Sequence, residues 1–184
     1  NSLYLYLKYK YFNKEEIPFV DKLEVSLQGP GKVKIRVYEK SVVGYVTYMG
    51  ANFYFDKDGV VVESSTDVKE DIPCISGVRF SSLAMYQKLA VENDKIFGRI
   101  LNITQLLKKY ELSPDKIEFG KDLALTLYFG NVKVALGSND DLEDKIGRLH
   151  DIYSDLESLS GTLHMENYTL DSKFISFEKA DSTE

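Results

Sequence analysis

The sequence has no tryptophan, one cysteine, four prolines and two histidines in 184 residues. A single cysteine, Cys74, excludes an intrachain disulfide, so the fold must be held by packing. As an isolated small hydrophobe Cys74 reads as buried. It lies between Pro73 and Ile75, away from any helix N-terminus that would lower its pKa, which argues against a nucleophile. His150 and His164 lie 14 apart and lack the HxxxH spacing of a zinc helix, so both read as structural or surface residues. No G-x-S-x-G elbow and no glycine-rich nucleotide loop is present. No apolar run approaches the roughly 20 residues that span a bilayer, and no signal peptide is visible. Without an initial Met or a targeting segment, the chain is expected to be a soluble part cut from a longer protein. The net charge is −6 with Lys and Arg scattered among Asp and Glu, which excludes the basic face of a nucleic-acid binder.

What is present is globular: 43% hydrophobic and 28% charged residues, with 13 Tyr and 10 Phe that favour strands. The opening stretch, NSLYLYLKYKYFNKEE, has two periods. Leu3, Leu5 and Leu7 alternate as in a strand, while Leu3, Leu7 and Tyr11 lie four apart as in a helix. Residues 21–28 and 32–40 alternate around Gly29-Pro30-Gly31 and predict a hairpin. Residues 41–65 predict three more short strands, with turns at Gly50-Ala51-Asn52 and Asp56 to Gly59. Residues 70–82 predict an extended link into helices. A helical spacing then runs from Leu83 to Leu89. A longer one starts at Asp94 and carries Ile96, Ile100, Ile103, Leu107 and Tyr110, ending at Ser113-Pro114. Leu123, Leu125, Leu127 and Phe129 share one strand face, and Val132, Val134 and Leu136 return after Gly130-Asn131. Ser138 or Asn139 is expected to cap a last helix that turns Leu142, Ile146, Leu149, Tyr153 and Leu156 inward until Gly161 breaks it. Two closing strands follow, at 162–169 and 173–179. Strands and helices come in blocks, which predicts an α+β fold.

The remaining motifs favour structure over chemistry. Gly29-Pro30-Gly31-Lys32 lacks the spacing of a phosphate loop and lies between strands. A calcium loop starting at Asp56 would need a polar ligand at Val60 and a glycine at Val61, so a hairpin turn is the better account. The acidic run at 139–144 reads as a solvated helix start. Two Asn-x-Thr patterns, at Asn102 and Asn167, matter only in a eukaryotic secretory pathway. No cofactor, no metal and no enzymatic site is expected. As the final strand, 173–179 has one side without a neighbour in the chain, which makes a sheet edge the plausible binding element.

The order of these segments resembles the extracytoplasmic region of the FtsQ/DivIB family of bacterial cell-division proteins. Val37-Tyr38-Glu39 matches the V-x-E end of a strand pair that closes a POTRA domain in that family. Val43 to Val46 and Asp56 to Gly59 match the apolar stretch and D-x-x-G hairpin after it. IPCISG, Ile72 to Gly77, is similar to an L-P-x-I-x-G segment. Gly137, Lys145 and Leu149 match a V-x-L-G … K-x-x-x-L strand and helix. The likeness runs from about Pro18 to Tyr168, and departs where the family has an I-D-x-R-like strand and this chain has His164 and Glu166.

The resemblance implies the C-terminal part of a POTRA domain at 1–42, made of its second helix and closing hairpin. A mixed β-sheet domain with helices packed on one face would follow at 43–180. It makes the opening stretch helical. It implies a non-enzymatic scaffold of the divisome, in the cell membrane through a single upstream transmembrane helix, with this region extracytoplasmic. The expected partners are FtsB/DivIC-type and FtsL-type division proteins, supporting septum formation. The partner edge is expected at Tyr168 and at Lys173, Phe174, Ile175, Ser176 and Phe177. The alternative is an extracytoplasmic wall-associated enzyme or enzyme inhibitor whose site is too scattered to read.

Overall fold

The computed structural model describes residues 20–29, 31–39, 41–93, 95–138, 141–172 and 174–180. The opening stretch, with its two competing periods, lies outside the described residues. The chain divides into two compact units, residues 1–41 and 42–184. In the first, β1 (Val20–Leu27) pairs antiparallel with β2 (Val33–Glu39), and Leu23 faces Val37 while Val25 faces Ile35. The GPG signal produces the turn: the Gln28 N–H closes on the Lys32 carbonyl at 2.9 Å.

The second unit holds β3 (Val42–Tyr48), β4 (Ala51–Asp56), β5 (Val61–Ser65), β6 (Cys74–Ser76), β7 (Phe80–Ser82) and β8 (Ala90–Val91). Helix α1 (Lys95–Lys109), β9 (Lys116–Phe119), β10 (Leu125–Phe129) and β11 (Val132–Gly137) follow. Helix α2 (Leu142–Leu156), β12 (Gly161–His164) and β13 (Ser176–Lys179) complete it. Nine of these strands form one mixed sheet in the order β13-β12-β11-β10-β9-β6-β3-β4-β5. The architecture is α+β with a large mixed sheet, as the block pattern predicts. Both helices bury their stripes in one apolar cluster with Phe55, Ile75, Leu127 and Val134. Just past the end of α1, the Tyr110 ring lies 6.0 Å from that of His150 in α2.

Alternation decides which face each side chain takes. On β4, Phe53 and Phe55 turn to the helices, while Tyr54 turns to the other face. There residues 67–69 cover it: the Tyr54 hydroxyl donates to the Asp67 carbonyl and accepts from the Lys69 N–H, both at 3.0 Å. The DKDG turn uses its first aspartate structurally. Asp56 Oδ1 accepts from the N–H groups of Asp58 at 3.0 Å and Val60 at 2.9 Å.

Two sequence expectations fail here. Residues 70–82 are no mere link, because Cys74–Ser76 is an interior strand of the sheet, parallel to both β3 and β9. A strand of three residues offers too few positions for alternation to register. Gly77 leaves it with φ +76°, since a Cβ there would lie 1.9 Å from the Phe119 carbonyl oxygen. Residues 83–89 form no helix. Their backbone groups bond to β5 and to the turn before it instead: Tyr86 N–H to Val61 O at 2.8 Å, Val61 N–H to Gln87 O at 3.0 Å, and Leu89 N–H to Gly59 O at 2.9 Å.

The helix ends differ in detail from the sequence reading. Helix α1 stops at Lys109, before Ser113-Pro114. Glu111 takes φ 53° and the Leu112 N–H reaches back to the Leu107 carbonyl at 2.9 Å, the Schellman arrangement, with Leu112 buried. The N-cap position of α2 is Asp141 rather than Ser138, and its side chain makes no capping bond. Asn139 lies outside the described residues. The inward stripe of α2 is as expected, with Leu142, Ile146, Leu149 and Leu156 buried and Tyr153 half-buried against the ring of Phe129.

Under α2 lies the one buried lysine, Lys145, among the described residues. Its ammonium donates to the Leu136 carbonyl at 2.8 Å and the Glu166 carbonyl at 2.9 Å. The helix is thereby tied to the end of β11 and to the chain leaving β12. Gly137 lets those two segments meet, with φ +71° and a Cβ position 3.0 Å from the Glu166 Cβ.

Two stability outcomes are expected. Leu127 is fully buried, so Leu127→Ala should cost roughly 2–5 kcal/mol in urea denaturation. A loss below about 0.5 kcal/mol would put Leu127 on the wrong face. Lys145→Met keeps the length of the side chain but strands two carbonyls, and should cost about 2–4 kcal/mol. A neutral result would mean that water or a backbone shift replaces the ammonium.

Candidate partner-binding edge

The sheet has two edges, and they are treated differently. At β5 the Val61 N–H and carbonyl are both taken by residues 86 and 87, so the start of that edge is closed. At the other end β13 pairs antiparallel with β12, Leu163 facing Phe177 and His164 facing Ser176. Among the described residues no strand lies beyond β13.

The polarity of that edge follows from the ladder. The Ala180 N–H donates to the Ser160 carbonyl at 2.9 Å, so the backbone of residue 180 faces β12. In an antiparallel pair, facing alternates residue by residue. The backbone groups of Ser176 and Glu178 therefore also face β12, and those of Phe177 and Lys179 face outward. Gly161 makes this close pairing feasible, since at φ +150° a Cβ would sit 2.1 Å from the Glu178 carbonyl oxygen.

The side chains of the edge divide between two faces. Phe177 lies on the helix side and packs partly against the core, as do Tyr168 and Ile175. With Phe174 they line a groove of about 530 Å³ whose other wall is Ile152 and Leu156 of α2. Arg148, Asp155 and Lys179 add charge to its lining. Phe174 is 90% exposed, the most exposed large apolar side chain among the described residues.

Of the six residues expected at the partner edge, Tyr168, Phe174, Ile175 and Phe177 come together in this groove. Lys173 lies outside the described residues. Ser176 stands apart: it is exposed on the opposite face, across from His164, with its backbone toward β12. Lys179 and the α2 residues were not singled out from sequence. Lys179 had a legible signal, since it follows Phe177 by two and shares its face. Ile152 and Leu156 had none, because nothing in a helix sequence says which distant strand it will lie beside.

On the face opposite the groove, the His164 ring lies between two carboxylates. Nδ1 is 3.2 Å from Glu166 and Nε2 is 3.3 Å from Glu178, and these hydrogen bonds hold the imidazole pKa above its usual 6.5. Cys74 is half-buried in β6, and burial pushes its thiol pKa up, which opposes a reactive thiolate. Among the described residues no three His, Cys, Asp or Glu side chains converge as metal ligands.

No family model matches the chain. Three curated relatives do, each a cell division protein DivIB. That of Clostridium acetobutylicum is 26% identical over 152 residues, covering 79% of this chain and 59% of the relative. That of Clostridium tetani is 20% identical over 166 residues, covering 88% and 62%. That of Clostridium botulinum is 22% identical over 133 residues, covering 70% and 52%. The chain thus spans between half and two-thirds of the length of each of these relatives. Their names agree with the likeness carried by Gly137, Lys145, Leu149 and the IPCISG segment, and support the FtsQ/DivIB family for this chain at the level of family.

Proposed function

We propose that this chain is the extracytoplasmic part of a bacterial cell-division protein that works as a scaffold rather than an enzyme. In this reading the first unit is the end of a POTRA domain, the second is the β-domain, and an upstream transmembrane helix anchors both in the cell membrane. The β-domain binds an FtsB/DivIC-type partner, with an FtsL-type protein in the same assembly, and so supports septum formation. The relatives named DivIB support the division role.

The observation that carries the binding mode is the outward backbone of β13 beside an apolar groove. A partner strand added antiparallel or parallel to β13 would satisfy the backbone groups of Phe177 and Lys179, and the same partner would cover Phe174. Backbone pairing gives affinity without sequence detail, and an aromatic side chain in a groove supplies the anchor. Tyr168 and Ile175 line the same groove.

The test follows the ladder polarity. Lys179→Pro removes an outward donor and leaves the pairing to β12, whereas Ser176→Pro would strike the inner side and loosen β13 itself. Lys179→Pro and Phe174→Ala should each weaken capture of the purified extracytoplasmic segment of a DivIC-type partner by about tenfold, with an unchanged thermal melt. Undiminished capture by both folded variants would exclude this edge as the site.

A further inference from the structure

His164 stands where the edge strand is joined to the rest of the sheet, and its surroundings are all polar or small. From β13 it faces Ser176 directly and Glu178 through Nε2. From the chain beyond β12 it faces Glu166 through Nδ1. From β11 the residue opposite is Ala135, and the nearest cation on that strand, Lys133, is opposite Thr162 with its ammonium over the Tyr128 ring at 5.9 Å. Glu166 is itself held in place, because the Lys145 ammonium bonds its carbonyl and Gly137 lies against its Cβ. The ring thus lies between the carboxylate of a residue with an anchored backbone on one side and an edge-strand carboxylate on the other.

We infer that His164 is a pH-sensitive clip, which holds the edge strand β13 to β12 more tightly when the imidazole is protonated and less tightly when it is neutral. The imidazolium has an N–H at each nitrogen and can donate to both carboxylates at once. The neutral ring has one N–H, so in either tautomer one carboxylate faces a lone pair and is repelled. The clip is built into the two strands and acts whether or not a partner adds to β13. If the proposed edge is the binding site, it would make that edge more ordered, and better prepared for pairing, in mildly acidic surroundings.

The sign follows from linkage. The folded-state pKa is raised above the unfolded 6.5 by the two carboxylates. The extra stability is therefore fully present below pH 6.5 and is lost as pH rises through the folded midpoint. Glu166 stays beside the ring when β13 opens, so the equilibrium for opening β13 increases by about tenfold for each unit by which Glu178 alone raises the ring's midpoint.

The test is amide hydrogen exchange on the whole chain between about pH 5.5 and 8.5, read as protection factors, with NMR titration of the His164 ring. The Glu178 and Ala180 amides, which face β12, should lose protection as pH rises, by the factor set by the difference between the ring's midpoints in the wild-type chain and in Glu178→Gln. The Leu127 and Val134 amides in β10 and β11 should not change in step. His164→Gln should abolish the pH dependence. Glu178→Gln, which keeps the ring, should lower its midpoint and shrink the loss, and it serves if the glutamine variant leaves β13 unpaired at every pH. A ring midpoint at or below 6.5 overturns the clip. So does protection that is flat with pH, an unchanged loss in His164→Gln, or an unchanged midpoint and loss in Glu178→Gln.

Discussion

The position of the β13 edge depends on a buried ammonium. Lys145 enters the apolar layer beneath α2, where a charge without partners would be too costly to keep. Its bonds to the Leu136 and Glu166 carbonyls meet that cost and join three segments that would otherwise have separate fates: the helix, the end of β11, and the exit of β12. Because β12 is parallel to β11, it could not be placed by a tight turn and needs a crossover, which α2 supplies. The lysine fixes that crossover at the point where the strand ends. Gly137 and Leu149, the other two residues of the family-like motif, belong to the same joint, one allowing close approach and the other filling the core below it.

The sheet around this joint is two groups of antiparallel strands held together by a short parallel insert. β3, β4 and β5 form one group and β9, β10 and β11 belong to the other, with β6 bridging them through pairs such as Tyr45 with Cys74 and Ile75 with Ile117. Ile75 is buried and also blocks any side chain at Gly44, so the insert is packed as tightly as the rest of the core. A mixed sheet of this kind has two edges to manage. The turn at 84–89 bonds to the start of β5, while β13 keeps its outward groups beside an apolar groove. That asymmetry gives the proposed binding surface its place at one end of the sheet.

Much of this was legible in local pattern. The alternation of Leu125, Leu127 and Val134 and the stripes of both helices specified which side chains would be buried, since a strand or helix with one apolar face has few ways to hide it. A last strand was readable in the alternation at 173–179, of which Ser176–Lys179 is strand, and four of the six residues expected at the partner edge share the groove. Ser176 was expected at the partner edge, yet its backbone faces β12, because sequence shows that backbone facing alternates but not its phase. The bond from the Ala180 N–H to Ser160 sets the phase.

By itself the sequence determined the α+β class, the two hairpins around Gly29-Pro30-Gly31 and Gly130-Asn131, both long helices and most of the core, because each depends on residues within one or two turns of each other. The family likeness was also there, in the order of short motifs. Only the tertiary structure decided that Cys74–Ser76 would be an interior strand, that residues 83–89 would serve β5 rather than coil, and that His164 would meet carboxylates from beyond β12 and from β13. These outcomes rest on contacts between segments far apart in the chain, whose hydrogen bonds have no partner within their own neighbourhood. A backbone group must be satisfied somewhere, but where is settled only when the sheet has assembled.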